Sequence, residues 1–177
     1  NADLLSEGFE GITLPAGWNM QNLSTPIGTT PTWVFGATVL SPAQNGTANS
    51  YALGNFNNVA GANTISNWLI TPTVNIKNGD VFKFWSRTVA GPAFPDRLEV
   101  RMSTNGASTN VGATNASVGD FTNLLLTINP TLTTTGYPSV WTEYTITVSG
   151  LGAPTPGRMA FRYFVTSGGP AGANSDN

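Results

Sequence analysis

Between residues 67 and 106 the chain reads NWLITPTVNIKNGDVFKFWSRTVAGPAFPDRLEVRMSTNG, and its apolar and polar positions fall into a period of two. Residues 81–87 set Phe82, Phe84 and Ser86 against Val81, Lys83, Trp85 and Arg87, and residues 98–102 set Leu98, Val100 and Met102 against Glu99 and Arg101. Alternation of this kind predicts half-buried antiparallel strands. Residues 68–74 form a short apolar, β-branched run, and Asn78-Gly79-Asp80 supplies a turn before residue 81, which together predict strand, turn, strand. Further on, Tyr144, Ile146 and Val148 oppose Glu143, Thr145 and Thr147. In residues 159–165, Met159, Phe161 and Tyr163 oppose Arg162 and Phe164, so both faces are partly apolar and a central position is predicted. The predicted strands are 4–10, 33–35, 51–53, 68–74, 81–88, 98–103, 124–128, 141–148 and 159–165. No longer stretch keeps a period of 3.6, and Gly and Pro interrupt the chain throughout, so the fold class is all-β.

Between the strands lie polar loops, the longest at residues 105–120, reading NGASTNVGATNASVGD. The strands that follow it are too few to form a domain of their own, so residues 1–177 are predicted to be a single β-sandwich domain carrying a long polar loop. No internal repeat is present, which argues against propellers and solenoids.

Composition narrows the function classes. Hydrophobic residues make up 40% and charged residues only 9%, so a core is available while solubility rests on neutral Thr, Asn, Ser and Gly. Such a surface fits an exported bacterial β-protein. With seven Lys and Arg and a net charge of −2, the chain lacks the basic patch that nucleic-acid binding needs. No apolar run approaches the roughly 18 residues of a membrane span. The first residues, Asn1-Ala2-Asp3, lack a charged or apolar leader, so the expectation is a mature or trimmed form of an exported protein. There are no cysteines, which leaves the fold to packing, or to packing plus a metal ion.

The chain has neither His nor Cys, so a Ser-His-Asp triad, a Cys-His dyad and His-ligated zinc are impossible. Carboxylate chemistry is what remains, and the acids on strand faces and in turns read as solvated groups; the expectation is that this is not an enzyme. Calcium suits the composition better, since it takes six to eight oxygens from carboxylates, Asn side chains and carbonyls. Glu7 and Glu10, three apart, would point to opposite faces of a regular strand and could not share one ion, unless Gly8 and Gly11 break that regularity. Aromatic side chains offer a second chemistry, the stacking of a sugar ring. Trp68 and Trp85 lie inside strands and are predicted to be core, whereas Trp18, Trp33 and Phe94 lie in or near loops and are the candidate ligand-binding residues. Arg87, Arg97 and Arg162 are expected to pair with Glu99 or Glu143 across strands.

Four pieces occur in order: SEGFEG with LPAGW in residues 6–18; NWLITP in 67–72; FKFWSRT with DRLEV in 82–100; and WTEY with MAFRY in 141–163. In that order and spacing they resemble the choice-of-anchor J domains and the related cleaved-adhesin domains of gingipain-type proteins, which are similar to MAM domains. The resemblance implies a galactose-binding-like jelly roll, exported, calcium-bearing in many members, and used in surface attachment or as an accessory module. Glu10 is then the first candidate calcium ligand, Glu7 the second and Asp96 the third. Similar domains continue after an Asn-Ser-Asp segment with an apolar strand that closes the sheet, whereas this sequence stops at Asn174-Ser175-Asp176-Asn177, so a jelly roll without that closing strand is expected. The function expected from the resemblance is non-catalytic adhesion at a bacterial surface, with a host or matrix glycan or protein, or sibling subunits, as partners. Two alternatives stand beside it: a carbohydrate-binding accessory module, and a fibre subunit that self-associates or is completed by a neighbour's strand at an open sheet edge.

Overall fold

The computed structural model describes residues 2–36 and 40–177. Its strands are β1 (Asn19–Asn22), β2 (Val34–Phe35), β3 (Ala52–Leu53), β4 (Asn63–Ile70), β5 (Val74–Ile76), β6 (Val81–Ser86), β7 (Leu98–Ser103), β8 (Asn123–Ile128), β9 (Thr142–Thr147) and β10 (Thr155–Gly168). One short 3-10 turn, Phe56–Asn58, interrupts them.

β10 organises the molecule. Apolar on both faces, it is the strand that can lie inside a sheet covered on two sides. It pairs antiparallel with β4 on one edge and β7 on the other, giving the order β1-β4-β10-β7-β8, while its first residues pair with β5. The ladder β6–β9 forms a second layer. Its inward residues Phe82 and Phe84 pack on Phe161 of β10, the Phe84 ring meeting Phe161 edge-on at 5.0 Å and stacking on Tyr144 at 5.3 Å. The principal core, with Ile65, Leu69, Leu98, Ile128, Tyr163 and Val165 buried, lies between the layers. The fold is thus an all-β antiparallel sandwich.

The far face of the main sheet is covered by the polar stretch 104–122. Trp68, Ile70 and Ala160 are buried there beneath Val111 and Phe121, the Trp68 and Phe121 rings 5.7 Å apart. A polar segment can lie over an apolar face because two hydrophobes, Val111 and Phe121, reach down from it. Its backbone is held by Gly119, at φ +53°, where an added Cβ would stand 2.2 Å from the Asn110 carbonyl. Arg162 provides a strut: its guanidinium donates to Glu99 Oε1 at 2.8 Å, Ser66 Oγ at 3.0 Å and the Asn115 carbonyl at 2.6 Å, and lies 3.7 Å over the Phe164 ring.

Several sequence expectations need correction. Residues 4–10 form no strand; Phe9 takes φ 53°, which breaks an extended run, and the first strand is instead the polar segment 19–22. The run at 68–74 is two strands, because Pro72 has no N–H to donate and the ladder stops at Ile70 and resumes at Val74. Trp85 is 44% exposed, since it shares the outward face of β6 with Val81 and Lys83. Trp33, expected at the surface, is only 8% exposed and packs edge-on against Tyr163. Among the arginines, Arg162 pairs with Glu99 across strands as expected. Arg97 instead donates to the Phe164 and Pro130 carbonyls, and Arg87 to those of Thr88 and Ser139.

Candidate functional site

A cleft of about 1350 Å³ opens between the two layers. One wall is residues 2–10, anchored over the start of β1 by the Phe9 ring, which meets Trp18 edge-on at 5.1 Å. The other wall is β6, anchored over β10 by the contact of Phe84 with Phe161. In the main sheet β4 lies between β1 and β10, so Leu69 of β4 forms part of the floor between the two walls. The consequence is visible at Phe161: it occupies the central strand, the driest place in a covered sheet, yet stays half-buried because the cleft opens above it.

The deep end is polar. Asp96, 2% exposed, accepts hydrogen bonds from Thr88 Oγ1 at 2.6 Å, from the Asp176 N–H at 2.8 Å and from the Tyr163 hydroxyl. Burial pushes its carboxyl up, and these bonds only partly offset that effect. Burial likewise raises the Tyr163 and Tyr137 hydroxyls, so both stay neutral; Tyr163 donates to Asp96, and Tyr137 shares a hydrogen bond of 2.6 Å with Ser86 Oγ. The segment 175–177 is tied to the same cluster, the Asn177 carbonyl accepting from Thr88 Oγ1 at 3.2 Å. This arrangement clamps backbone; it presents no free nucleophile.

Of the predicted site residues, Glu7, Glu10, Asp96, Trp18 and Trp33 all line the cleft, and Phe94 does not. Glu7 and Glu10 are exposed, and Glu7 Oε1 accepts the Phe9 N–H at 2.6 Å, capping the bend there. Glu10 Oε1 faces the turn at residues 45–50, where a Cβ added to Gly46 would lie 3.4 Å from it and 2.9 Å from Ser50 Oγ. Among the described residues no three acidic side chains gather in one place. Trp18 is half-buried against Phe9 and Trp33 is buried, while Phe94, 44% exposed, borders a separate small pocket with Phe56 and Pro170. The three aromatics therefore do not form one platform.

Sequence reasoning missed the cleft's aromatic floor, Phe82, Phe84 and Phe161, although the alternation of residues 81–87 had put both β6 rings on one face. It also missed Trp85, Lys83, Glu143 and Thr145 as an exposed set on the outer face of the β6–β9 ladder, where Trp85 stands opposite Glu143.

No curated protein matches the chain. Solved structures do: the K1 cleaved adhesin domain of Lys-gingipain from Porphyromonas gingivalis W83 (24% identity, TM-score 0.58, 92% of this chain and 88% of that one) and the K3 domain of the same protein (21%, 0.58, 94% and 91%). The K2 cleaved adhesin domain of Lys-gingipain is similar too, at 21% identity and TM-score 0.59 over 93% of this chain and 92% of that one. At these identities the likeness shows the β-sandwich fold. The model of one family, described as Cleaved Adhesin Domain, matches residues 3–170, nearly the whole sequence. This chain belongs to the Cleaved Adhesin Domain family, an adhesion-type domain of bacterial proteins.

Proposed function

We propose that this chain is a non-catalytic adhesion domain of an exported bacterial protein, binding a protein or glycan of a host or matrix surface through the cleft between its layers. The observation that carries this reading is the cleft itself, an opening of about 1350 Å³ floored by half-buried aromatic rings. The lack of His and Cys and the engagement of Asp96 in a clamp support the non-catalytic part. The test is a panel of matrix proteins and glycans probed with the wild-type chain and with Phe84→Ser. Binding that Phe84→Ser abolishes while its circular dichroism stays native supports the reading; binding that it leaves untouched sinks the cleft as the surface.

Calcium belongs to the same proposal, at Glu10. Its exposed carboxylate approaches the turn that carries Asn45, Thr47, Asn49 and Ser50, whose amide, hydroxyl and carbonyl oxygens are the donor type a hard cation takes. With ion at about 100 times its dissociation constant, binding stabilises by about 2.7 kcal/mol. For a chain of this size that is about 5–10 °C in Tm. Chelator is expected to lower Tm by that amount in the wild type and to leave Glu10→Gln unchanged; equal melting curves with and without chelator in the wild type would remove the ion.

A second reading, a carbohydrate-binding module, is favoured by one observation, the exposure of Trp85 opposite Glu143 on the outer face of the β6–β9 ladder. Loss of glycan binding in Trp85→Ala but not in Phe84→Ser would support it over the first.

A further inference from the structure

Asn-Gly occurs three times in the chain, at residues 45–46, 78–79 and 105–106, each time with the asparagine exposed. In such a pair the glycine nitrogen, shielded by no Cβ, can attack the side-chain amide that precedes it, and the asparagine then loses ammonia. The outcome depends on where that nitrogen is held.

The three pairs are held differently. Gly79 N–H donates to the Val148 carbonyl at 2.9 Å, and Leu151 fixes both ends of the Asn78 amide, Nδ2 donating to its carbonyl at 2.7 Å and Oδ1 accepting from its N–H at 2.9 Å. Gly106 N–H donates to the Pro156 carbonyl at 3.0 Å, with Asn105 Nδ2 on the Asp120 carboxylate at 2.9 Å. In both pairs the nitrogen is turned toward a distant carbonyl. Gly46 is the reverse case, since its N–H donates to Oδ1 of Asn45 itself, at 2.9 Å. Cγ is bonded to that oxygen at about 1.23 Å, so the nitrogen lies within about 4 Å of the carbon, close to the roughly 3–3.5 Å of an attack-ready pair. The turn itself calls for glycine here: φ is +82°, and an added Cβ would stand 2.9 Å from Ser50 Oγ. Water has access, because residues 44–48 are all exposed.

We propose that Asn45 is a self-modification site, converted through a succinimide to aspartate and isoaspartate in the folded protein. Hydroxide takes the Gly46 amide proton, the nitrogen bonds to Asn45 Cγ, the Cγ–Nδ2 bond breaks, and Nδ2 leaves as ammonia with a proton from water. A water molecule then opens the imide at either carbonyl, which leaves one new carboxylate and no change of oxidation state. Asn45, Gly46 and Glu10 line the same cleft, and a Cβ added to Gly46 would lie 3.4 Å from Glu10 Oε1. A neutral turn on the cleft wall thereby becomes acidic with age. The consequence for function rests on the ion proposed at Glu10 and deepens that reading, because the product puts a second anionic donor in the adjoining turn.

The test ages the folded chain and the guanidinium-unfolded chain side by side at neutral pH, digests both with pepsin in acid, and maps the amide-to-acid mass gain at each asparagine. Unfolded, the three pairs are expected to react within about threefold of one another; folded, Asn45 is expected to keep its rate within about threefold while Asn78 and Asn105 slow by at least about tenfold. Asn45 reacting no faster than Asn78 or Asn105 in the folded chain overturns the proposal. Asn45→Asp, an exposed change that fixes the product's charge, reads the consequence: its Tm loss on chelation is expected to exceed that of the wild type by about 3–5 °C, the value of a tenfold gain in affinity. If the wild type responds to chelator and Asn45→Asp responds no more, the second donor is wrong. If neither responds, the ion at Glu10 is wrong, and the peptide map alone decides the modification.

Discussion

Glu99 is the residue whose removal tests the physical account of the far face of the sheet most severely. It is 7% exposed and accepts two hydrogen bonds from Arg101, at 3.0 and 3.1 Å, and one from Arg162 at 2.8 Å. Arg162 is 2% exposed, so Glu99→Gln leaves a buried guanidinium without its counter-ion. Breaking such a pair costs about 3–5 kcal/mol. Arg162 keeps Ser66 Oγ and the Asn115 carbonyl as acceptors and the Phe164 ring beneath it, which puts the loss at the lower end, about 3 kcal/mol. For a chain of this length that is about 6–12 °C in Tm. Burial pushes the Glu99 carboxyl up, but the hydrogen bonds and charges of Arg101 and Arg162 together outweigh it, and the folded-state value lies below the ordinary 4.5. The contribution is therefore fully present above pH 4.5 and is lost as pH falls through the folded-state value. Urea unfolding at neutral pH and at several points below pH 4.5 reads both effects: a gap of about 3 kcal/mol between wild type and Glu99→Gln that narrows in acid. A gap under about 1 kcal/mol at neutral pH, or one that does not narrow, would refute the reasoning.

The tryptophans should separate by face. Trp68→Ala is expected to cost about 3–5 kcal/mol, and Trp85→Ala less than about 1, in the same urea assay. Asp96→Asn keeps an oxygen for Tyr163 and the Asp176 N–H, and because burial raises the native carboxyl, the wild type loses stability relative to the variant as pH rises above the unfolded value of 3.8; a pH series of melting curves checks the sign. Gly119→Ala is expected to destabilise by more than about 1 kcal/mol, since both φ and the Asn110 carbonyl oppose a Cβ, with loss of Trp68 near-ultraviolet dichroism as the marker of a displaced loop.

Much of the sandwich could be read from alternation. Residues 81–88, 98–103, 124–128, 141–148 and 159–165 all contain strands, and the two-faced apolar pattern of 159–165 correctly put that strand at the centre. Where reading failed, the stabilising interaction was not a side-chain pattern. β1 is Asn-Met-Gln-Asn, an edge strand held by backbone pairing to β4 and by Asn22 and Gln21 side-chain bonds, and such a strand has no hydrophobic signature. β4 begins five residues before the apolar run, in a stretch that is polar apart from Ile65, although Ile65, Ser66 and Asn67 are all fully buried there. For the candidate site the alternation was read but not obeyed: it grouped Trp85 with Lys83 and Arg87, the outward face, while the size of the ring suggested core. Burial of Trp33 depends on Tyr163, 130 positions away, a distance over which local pattern says nothing.

The place of β10 sets a rule of timing. The centre of the main sheet is made by residues 155–168, among the last in the sequence, while both of its immediate neighbours, β4 and β7, come much earlier. A chain that emerges amino end first therefore cannot close this sheet until residues 155–168 have been delivered, and β4 and β7 wait with the edges that face β10 bare. A chain cut short before residue 155 is left with β4 and β7 and nothing to join them.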